Sequence, residues 1–380
     1  MSKSKIGASS AAKLEKSVRY RGWFSQISIC LGKLFRMFIF QNDWKVLPMA
    51  TAISAMVSMV VQPFMFLNME DTLLGAFALS CVSIWNGCFN SIQVICRERD
   101  IVKREHRSGM HITSYIAAHM IYQAFLCAMQ TALMTYVCYF LGVHFPKQGL
   151  ITPWFLLDFA IAIFLITYAS DMLGLFISSF VRSTTLAMTL MPFILLFQLV
   201  FSGGFFALPA WSQPLSDITI SRCGMRTICG LAGYNDLPAV LAWNTLYRMR
   251  DTTIEKSMTV DEFRSALRSE FFQKRFREAE APNGVTLDKV INILLDGDAL
   301  DSFGDEEMDF SFTIRELLQA AGEKEVRHYI QEASREASYT ADYDHTVPNI
   351  SLCWVLLGCF SLAFAGLSVV SLSFVDRDKR

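Results

Sequence analysis

Residues 72–96 read TLLGAFALSCVSIWNGCFNSIQVIC and contain no Asp, Glu, Lys or Arg. A helix needs roughly 20 apolar residues to cross the hydrocarbon core of a bilayer, and this stretch is longer than that. Asp71 and Arg97 bound it, so the charges of this region lie outside the run. The stretch therefore predicts a membrane-spanning helix.

Other apolar runs of similar length occur along the chain. Of all residues, 53% are hydrophobic and 18% are charged, whereas about 25% are charged in an average soluble protein. The charges collect between the runs, and the alternative of a large soluble helical protein fits this distribution poorly. We predict an all-α integral membrane protein with six transmembrane helices, near 46–67, 72–96, 112–142, 154–181, 184–207 and 350–374.

Basic residues concentrate on one side of the predicted spans. The first 45 residues contain nine Lys or Arg and two acidic residues, and the connection after the second span adds five Lys or Arg. Because Lys and Arg mark the cytoplasmic flanks of transmembrane helices, both termini are predicted to be cytoplasmic, in a multi-pass protein of the plasma membrane. No cleavable signal peptide is expected, since the first apolar run follows a long basic segment.

The segment before the first span has helical periodicity. Phe24, Leu31 and Phe38 recur at helical spacing, whereas Lys33 and Arg36 fall on other faces. This pattern is typical of an amphipathic helix along the inner membrane face, although an ordinary packed helix has the same pattern. The predicted regions are a cytoplasmic amphipathic connecting helix at 1–43, transmembrane helices 1–5 at 44–207, a re-entrant outer segment at 208–236, an acidic insertion at 237–346, and transmembrane helix 6 with a cytoplasmic tail at 347–380.

The insertion differs in composition from the rest of the chain. It contains 22 Asp or Glu and 13 Lys or Arg, and by the predicted topology it is extracytoplasmic. Helical spacing of apolar residues at 259–280 and 312–337 predicts a small, mostly helical unit. Asp296 and Asp298 suggest a calcium loop, but Asp301 occupies the position that requires glycine. We therefore predict a solvated acidic loop and no metal site.

Motifs for enzyme chemistry are missing from the sequence. There is no GxxxxGK[ST] phosphate-binding loop, no HExxH and no GxSxG. Asp158 and Asp171 lie in the fourth span, where a carboxylate is costly and marks either a functional group or a structural pair. Cys223 and Cys229 lie outside the predicted spans and are either a disulfide or two free thiols. The chain is therefore not expected to be an enzyme by itself.

Two stretches carry family-level information. The segment after the second span is densely charged, and the fifth span ends in a glycine turn that precedes short helices. Together they resemble the transmembrane domain of the G subfamily of ABC transporters, within the type-2 ABC exporter permeases. The resemblance covers about residues 13–235 and 350–374, and the matching residues are Glu98, Arg99, Arg104 and Glu105 in the first stretch and Phe201, Ser202, Gly203, Ser221, Arg222, Cys223 and Gly224 in the second.

The resemblance implies a mechanism. In that family Glu98, Arg99, Arg104 and Glu105 correspond to the segment that couples the permease to an ATPase. Two permease subunits, identical or related, face each other, and their second and fifth helices line an apolar path for a lipophilic or amphipathic substrate. The positions that match this path are Asn86, Phe89, Pro192, Leu196 and Leu199, whose alternative role is plain helix packing.

The sequence departs from the family in several ways. Members normally carry the ATPase domain on the same chain, and none is found here, so ATP and Mg are expected on a partner ATPase and no cofactor in this chain. Met110 and His111 replace an aromatic residue of the coupling segment, and the insertion is larger than the usual outer loop. The other expected partners are a second permease subunit and membrane lipid, with no nucleic acid. A non-transporting scaffold or sensor and a membrane enzyme are the alternatives.

Overall fold

The computed structural model describes residues 22–40, 43–61, 64–204, 209–258, 262, 265 and 308–374. Each of the six predicted spans corresponds to a helix, and the predicted connecting helix is also present. The helices up to the glycine turn are α1 (Trp23–Phe40), α2 (Val46–Val61), α3 (Met69–Ser91), α4 (Val94–Arg107), α5 (Ile112–Phe140), α6 (Phe155–Phe180) and α7 (Thr184–Val200).

The second half of the described chain contains shorter elements. Its helices and strands are α8 (Gln213–Asp217), α9 (Ile220–Ala232), α10 (Leu241–Arg248), β1 (Thr253–Met258), β2 (Met308–Thr313), α11 (Ile314–Ala321), α12 (Glu323–Ser338) and α13 (Val347–Phe374).

In the described part of the chain, five helical segments are long and apolar enough to cross a membrane. They are α1, α3 continued by α4, α5, α6 and α13. The helices α2 and α7 are apolar but have only 16 and 17 residues. A 16-residue helix is about 24 Å long, which is less than the roughly 30 Å of a hydrocarbon core. The all-α membrane fold is confirmed, and the crossings by α2 and α7 stay predictions.

α1 and α2 follow α5 along its length. Near the start of α5, Trp23 Nε1 donates to Thr113 Oγ1 at 3.0 Å. Near its end, Ser58 Oγ lies 3.2 Å from Cys138 Sγ. α1 is thus helical as predicted, and it runs beside the first half of α5. Its position along the inner membrane face stays a prediction.

α6 lies at the centre of the helical bundle. It packs against α3, α5, α9 and α13, and Phe159, Ile163 and Ile166 are fully buried in the main hydrophobic core. By contrast, α13 buries one row of residues and exposes large side chains such as Leu362 on its other side. The exposed row has the character of a lipid-facing surface.

α3 and α6 approach each other closely through two glycines. A Cβ added to Gly87 of α3 would lie 2.2 Å from the carbonyl oxygen of Thr167. A Cβ added to Gly174 of α6 would lie 2.6 Å from Ser91 Oγ and 2.9 Å from the carbonyl oxygen of Cys88. Each helix therefore presents a glycine to the backbone of the other, which is the usual way in which transmembrane helices reach short separations.

The insertion forms a compact unit of its own, Val240–Ser334. Its described part contains α10, α11 and α12 around a small core of Trp243, Ile314 and Leu318. The helix predicted within 312–337 is confirmed as α11 and α12, and the helix predicted at 259–280 falls almost wholly outside the described residues. An antiparallel pair, β1 with β2, was not predicted; it aligns Thr253 with Thr313. The Asp296–Asp305 stretch also lies outside the described residues.

Candidate coupling surface and translocation path

The predicted coupling segment is an amphipathic helix, α4, that follows α3 after a break at residues 92–93. Ile95 and Val102 bury its apolar side in a cluster with residues of α5 and α6. Ser178 Oγ of α6 accepts hydrogen bonds from Ile95 N at 3.0 Å and Cys96 N at 3.1 Å. Because the first amides of a helix lack partners within it, this hydroxyl fixes where α4 begins.

The four predicted coupling residues divide into two groups. Glu98 is buried and its carboxylate lies 3.2 Å from Lys33 Nζ of α1. Arg99 Nη1 donates to the carbonyl oxygen of Val181 at 2.5 Å. These two side chains anchor α4 to the bundle. Arg104 is exposed and Glu105 is half-buried, so the end of α4 is the part that a soluble partner can reach.

α1 and the turn after α4 are joined by a second set of contacts. Gln26 Nε2 donates to the carbonyl oxygen of Gly109 at 3.2 Å, and His111 N donates to Gln26 Oε1 at 2.9 Å. Gly109 has φ +100°, a backbone conformation that favours glycine. A force applied to α4 would therefore reach α1 and α5 together.

The predicted path residues fall on exposed and buried sides of their helices. On α3, Asn86 is buried, whereas Phe89 is 38% exposed and its ring lies 5.3 Å from the ring of Trp85. On α7, Pro192 and Leu196 are exposed and Leu199 is half-buried. Three of the five residues thus face outward, which leaves them free to line a path, and Asn86 packs inside the subunit.

Sequence reasoning missed three large aromatic residues on the same two helices. Trp85, Phe193 and Phe197 are each at least 40% exposed. Trp85 lies one helical turn from Phe89, and Phe193 lies next to Pro192. The sequence contained a signal for them, because aromatic residues one helical turn from a predicted path residue lie on the same face of the helix. The two helices therefore carry an exposed aromatic and aliphatic surface.

The two motif stretches of the second half lie against each other. The turn at 201–204 follows α7, with Gly203 at φ +74°. Ser216 Oγ donates to the carbonyl oxygen of Phe201 at 2.8 Å. At the start of α9, Ser221 N donates to Gln198 Oε1 at 3.2 Å. The end of α7 is thus held by α8 and α9.

The sequence pattern of the ABC-2 type transporter family matches residues 25–230, more than half of the chain. The matched region begins in α1 and ends in α9, and it includes both motif stretches. This chain belongs to the ABC-2 type transporter family. The protein is therefore a multi-pass transmembrane permease, and the resemblance seen in the sequence is confirmed at the level of the ABC-2 permease domain.

One curated protein shows significant similarity to this ABC-2 permease. It is the ABC transporter ATP-binding/permease protein Rv1747 of Mycobacterium tuberculosis (strain ATCC 25618 / H37Rv), which is 32% identical over 129 residues. The match covers 33% of the present chain and 15% of the relative. The chain thus spans a small part of that relative's length. The ATP-binding part that the relative's name mentions belongs to the relative.

Cys223 and Cys229 of the permease are free thiols, so the disulfide that the sequence left open is not present. Both lie on α9, six residues apart. Six residues along a helix rise about 9 Å, and two Cys with Cα atoms more than about 7 Å apart cannot be bridged without backbone movement. Both side chains are buried and pack in the main core.

Asp158 organises the loop between α5 and α6. Its buried carboxylate accepts hydrogen bonds from Leu150 N at 2.9 Å, Ile151 N at 3.0 Å and Thr152 N at 3.0 Å. The loop closes tightly on this group, since a Cβ on Gly149 would lie 2.6 Å from Asp158 Oδ2. This bonding accounts for a carboxylate at this depth without a catalytic role.

Polar contacts, which we call the α9–α13 clasp, join the segment around α9 to the segment before α13. Arg222 Nη2 lies 2.7 Å from Asp342 Oδ2. Asn235 Nδ2 donates to the carbonyl oxygen of Thr340 at 3.1 Å, and Thr340 N donates back to Asn235 Oδ1 at 3.3 Å. Burial raises the pKa of Tyr234 in this region to about 12, so its phenol stays protonated at neutral pH. The clasp ties α9 and the turn after it to the segment that leads into α13.

Changing Lys33 to Met is expected to lower the thermal stability of the detergent-solubilised permease, because it leaves the Glu98 carboxylate buried without its cation. Since 41% of the Lys33 side chain is exposed, solvent screening limits the effect to about 1 kcal/mol. The double variant K33M/E98M should recover most of the loss. Arg36→Met, an exposed cation on the same helix, is the matched control. Equal losses in K33M and R36M would contradict this interpretation.

Proposed function

We propose that this chain is the permease subunit of an ATP-driven exporter whose ATPase is a separate chain. The observation that carries the proposal is the arrangement of α4. Glu98 and Arg99 fix it to the bundle, while the exposed Arg104 marks an end that a soluble ATPase can contact. ATP and Mg would bind to that partner, because the chain contains no phosphate-binding loop.

The proposed substrate is lipophilic or amphipathic, and the working unit is a dimer. Support comes from the exposed faces of α3 and α7, which present Phe89, Phe193 and Leu196. Two such faces opposed across a dimer axis would enclose an apolar path, and alternating access would follow from a change in their separation. Exposed apolar surface of this kind is typical of interfaces and ligand paths. The partner subunit would be a second copy or a related chain.

The proposed topology places both termini and α4 in the cytoplasm and the insertion outside the plasma membrane. It rests on the Lys and Arg residues that flank the spans. Cysteine labelling tests it: a single cysteine introduced at Ser338 should react with an impermeant thiol reagent added to intact cells. Labelling only after permeabilisation would overturn the topology.

The coupling proposal is tested by reversing the charge of Arg104. We expect the tagged wild-type chain, purified from its native membranes in mild detergent, to carry an ATPase with it. Arg104→Glu should reduce the amount of bound ATPase about tenfold or more, since a close charge pair at an interface contributes about 1.5 kcal/mol or more. Lys147→Glu, an exposed cation in the loop between α5 and α6, is the matched control.

The outcomes separate this function from the alternative. Retention of ATPase by the control and loss by R104E support a coupled permease. If no ATPase accompanies even the wild-type chain, the proposal fails. The alternative is then a non-transporting scaffold or sensor, which the compact unit at Val240–Ser334 favours because it offers a separate folded surface for a partner.

A further inference from the structure

One face of α5 carries a row of buried polar side chains. Tyr115, His119, Gln123 and Cys127 are spaced four residues apart, and each is at least 97% buried. Residues at this spacing lie above one another on a helix, so the row follows the helix axis for about 18 Å. A continuous polar row inside a membrane bundle is costly, and such groups are rarely kept without a role.

Two of these side chains have no hydrogen-bond partner among the described residues. Both ring nitrogens of His119 and both the amide nitrogen and oxygen of Gln123 are unpartnered, whereas the Tyr115 hydroxyl interacts with the Glu98 side chain. An unsatisfied buried polar atom is destabilising, so four in one row are expected to have a partner. Water commonly provides hydrogen bonds to such groups in protein interiors.

A carboxyl group lies at each end of the row. Next to its first member lies the buried Glu98, whose charge acts on the Tyr115 hydroxyl. At its far end, Cys127 Sγ donates to Asp171 Oδ2 at 3.2 Å. Asp171 is fully buried, and its Oδ1 has no hydrogen-bond partner among the described residues. The row therefore connects the coupling helix α4 with a carboxyl group in the interior of α6.

Among the described residues, no Lys, Arg or His acts on the Asp171 carboxyl group. The groups that act on its carboxyl are Ser91 and Asn90 of α3 and Cys127 of α5. The remaining titratable neighbours are Cys88 of α3 and Tyr168 of its own helix. α13, which also packs on α6, has no Asp, Glu, Lys, Arg or His. A carboxyl group that is fully buried, with one oxygen unpartnered among the described residues, can serve as a proton-binding group.

We propose that Asp171 is an intramembrane proton-binding site, and that a file of water molecules along the α5 row connects it to Glu98. In the proposed step, the Asp171 carboxylic acid gives its proton to the adjacent water and becomes a carboxylate. The proton passes along the file to the Glu98 carboxylate or to solvent beyond it. The reverse transfer restores the acid, and no other reactant is needed.

Infrared difference spectroscopy of the purified permease tests the proton site. At neutral pH we expect a free carboxylic acid C=O band that disappears in Asp171→Asn. The matched control is Asp158→Asn, because Asp158 is an equally buried carboxylate with three backbone donors, and that variant should keep the band. Absence of the band from the wild-type protein, or its persistence in D171N, would overturn the proposal.

The water file is tested by transfer to D2O. In the wild-type protein, the carboxylic acid C=O band should shift at once as deuterium replaces the proton of Asp171. Gln123→Leu should slow this exchange about tenfold or more, because it removes a hydrogen-bonding side chain at the centre of the row. Met134→Leu, a buried change on the same helix outside the row, should exchange like wild type. Equal exchange in Q123L and M134L would refute the file. Elution as a single species verifies the fold of each variant.

Discussion

Replacing Gly87 by alanine is expected to prevent the permease from reaching its native packing. The added Cβ would lie 2.2 Å from the carbonyl oxygen of Thr167, 2.9 Å from the amide nitrogen of Asp171 and 3.0 Å from the Cβ of Ser170. Two of these atoms belong to the backbone of α6, so no side-chain rotation can relieve the overlap. The helices α3 and α6 must separate, and both lie in the main core.

The cost should be about 3 kcal/mol or more, since overpacking of a rigid contact exceeds the usual penalty for one added methyl group. The yield of monodisperse protein in detergent and its unfolding temperature measure the effect. Gly358→Ala is the matched control, because a Cβ there has no atom within 4 Å. If G87A and G358A behave alike, the close approach of α3 and α6 is wrong.

Changing Asp158 to Ala is expected to unfold the loop between α5 and α6. The change removes a buried carboxylate and leaves the amides of Leu150, Ile151 and Thr152 without their acceptor. Hydrogen bonds to a charged group contribute about 1.5–3 kcal/mol each, so the loss of three should be about 4.5 kcal/mol or more. The unfolding temperature should fall sharply, and proteolysis should cut the loop.

Two further variants distinguish the role of the Asp158 side chain as a hydrogen-bond acceptor from the role of its negative charge. Asp158→Asn keeps an oxygen acceptor and should lose roughly half as much stability. Lys147→Gln removes an exposed charge from the same loop and should change stability by no more than about 0.5 kcal/mol. A loss in K147Q as large as that in D158A would show that the loop responds to net charge, and not to the buried acceptor.

The apolar runs predicted the helices well, and their ends less well. The run 46–67 ends as a helix at Val61, because Pro63 lacks an amide hydrogen and restricts the residue before it. The run 184–207 ends at Val200, just before the two glycines at 203–204. Hydropathy cannot register such local breaks, because the residues beyond them are also apolar. β1 and β2 were missed because their pairing joins segments about 55 residues apart.

The sequence predicted which residues belong to the candidate site, but it did not predict the role of each residue. The charges of α4 stand out in the sequence, yet the division between the buried Glu98 and the exposed Arg104 depends on where α1 and α6 pack. Asp158 and Asp171 look alike in sequence, and only the fold gives one of them three backbone donors. The row on α5 had a sequence signal, since Tyr115, His119 and Gln123 are polar at four-residue spacing within an apolar run.

The α9–α13 clasp has a consequence for changes in the length of the chain. Asn235 and Thr340 bond to each other although more than 100 residues separate them, so the chain leaves the membrane domain and re-enters it at a single place. These contacts hold the two ends of the intervening sequence together. We therefore expect the membrane domain to tolerate an insertion or a deletion between them.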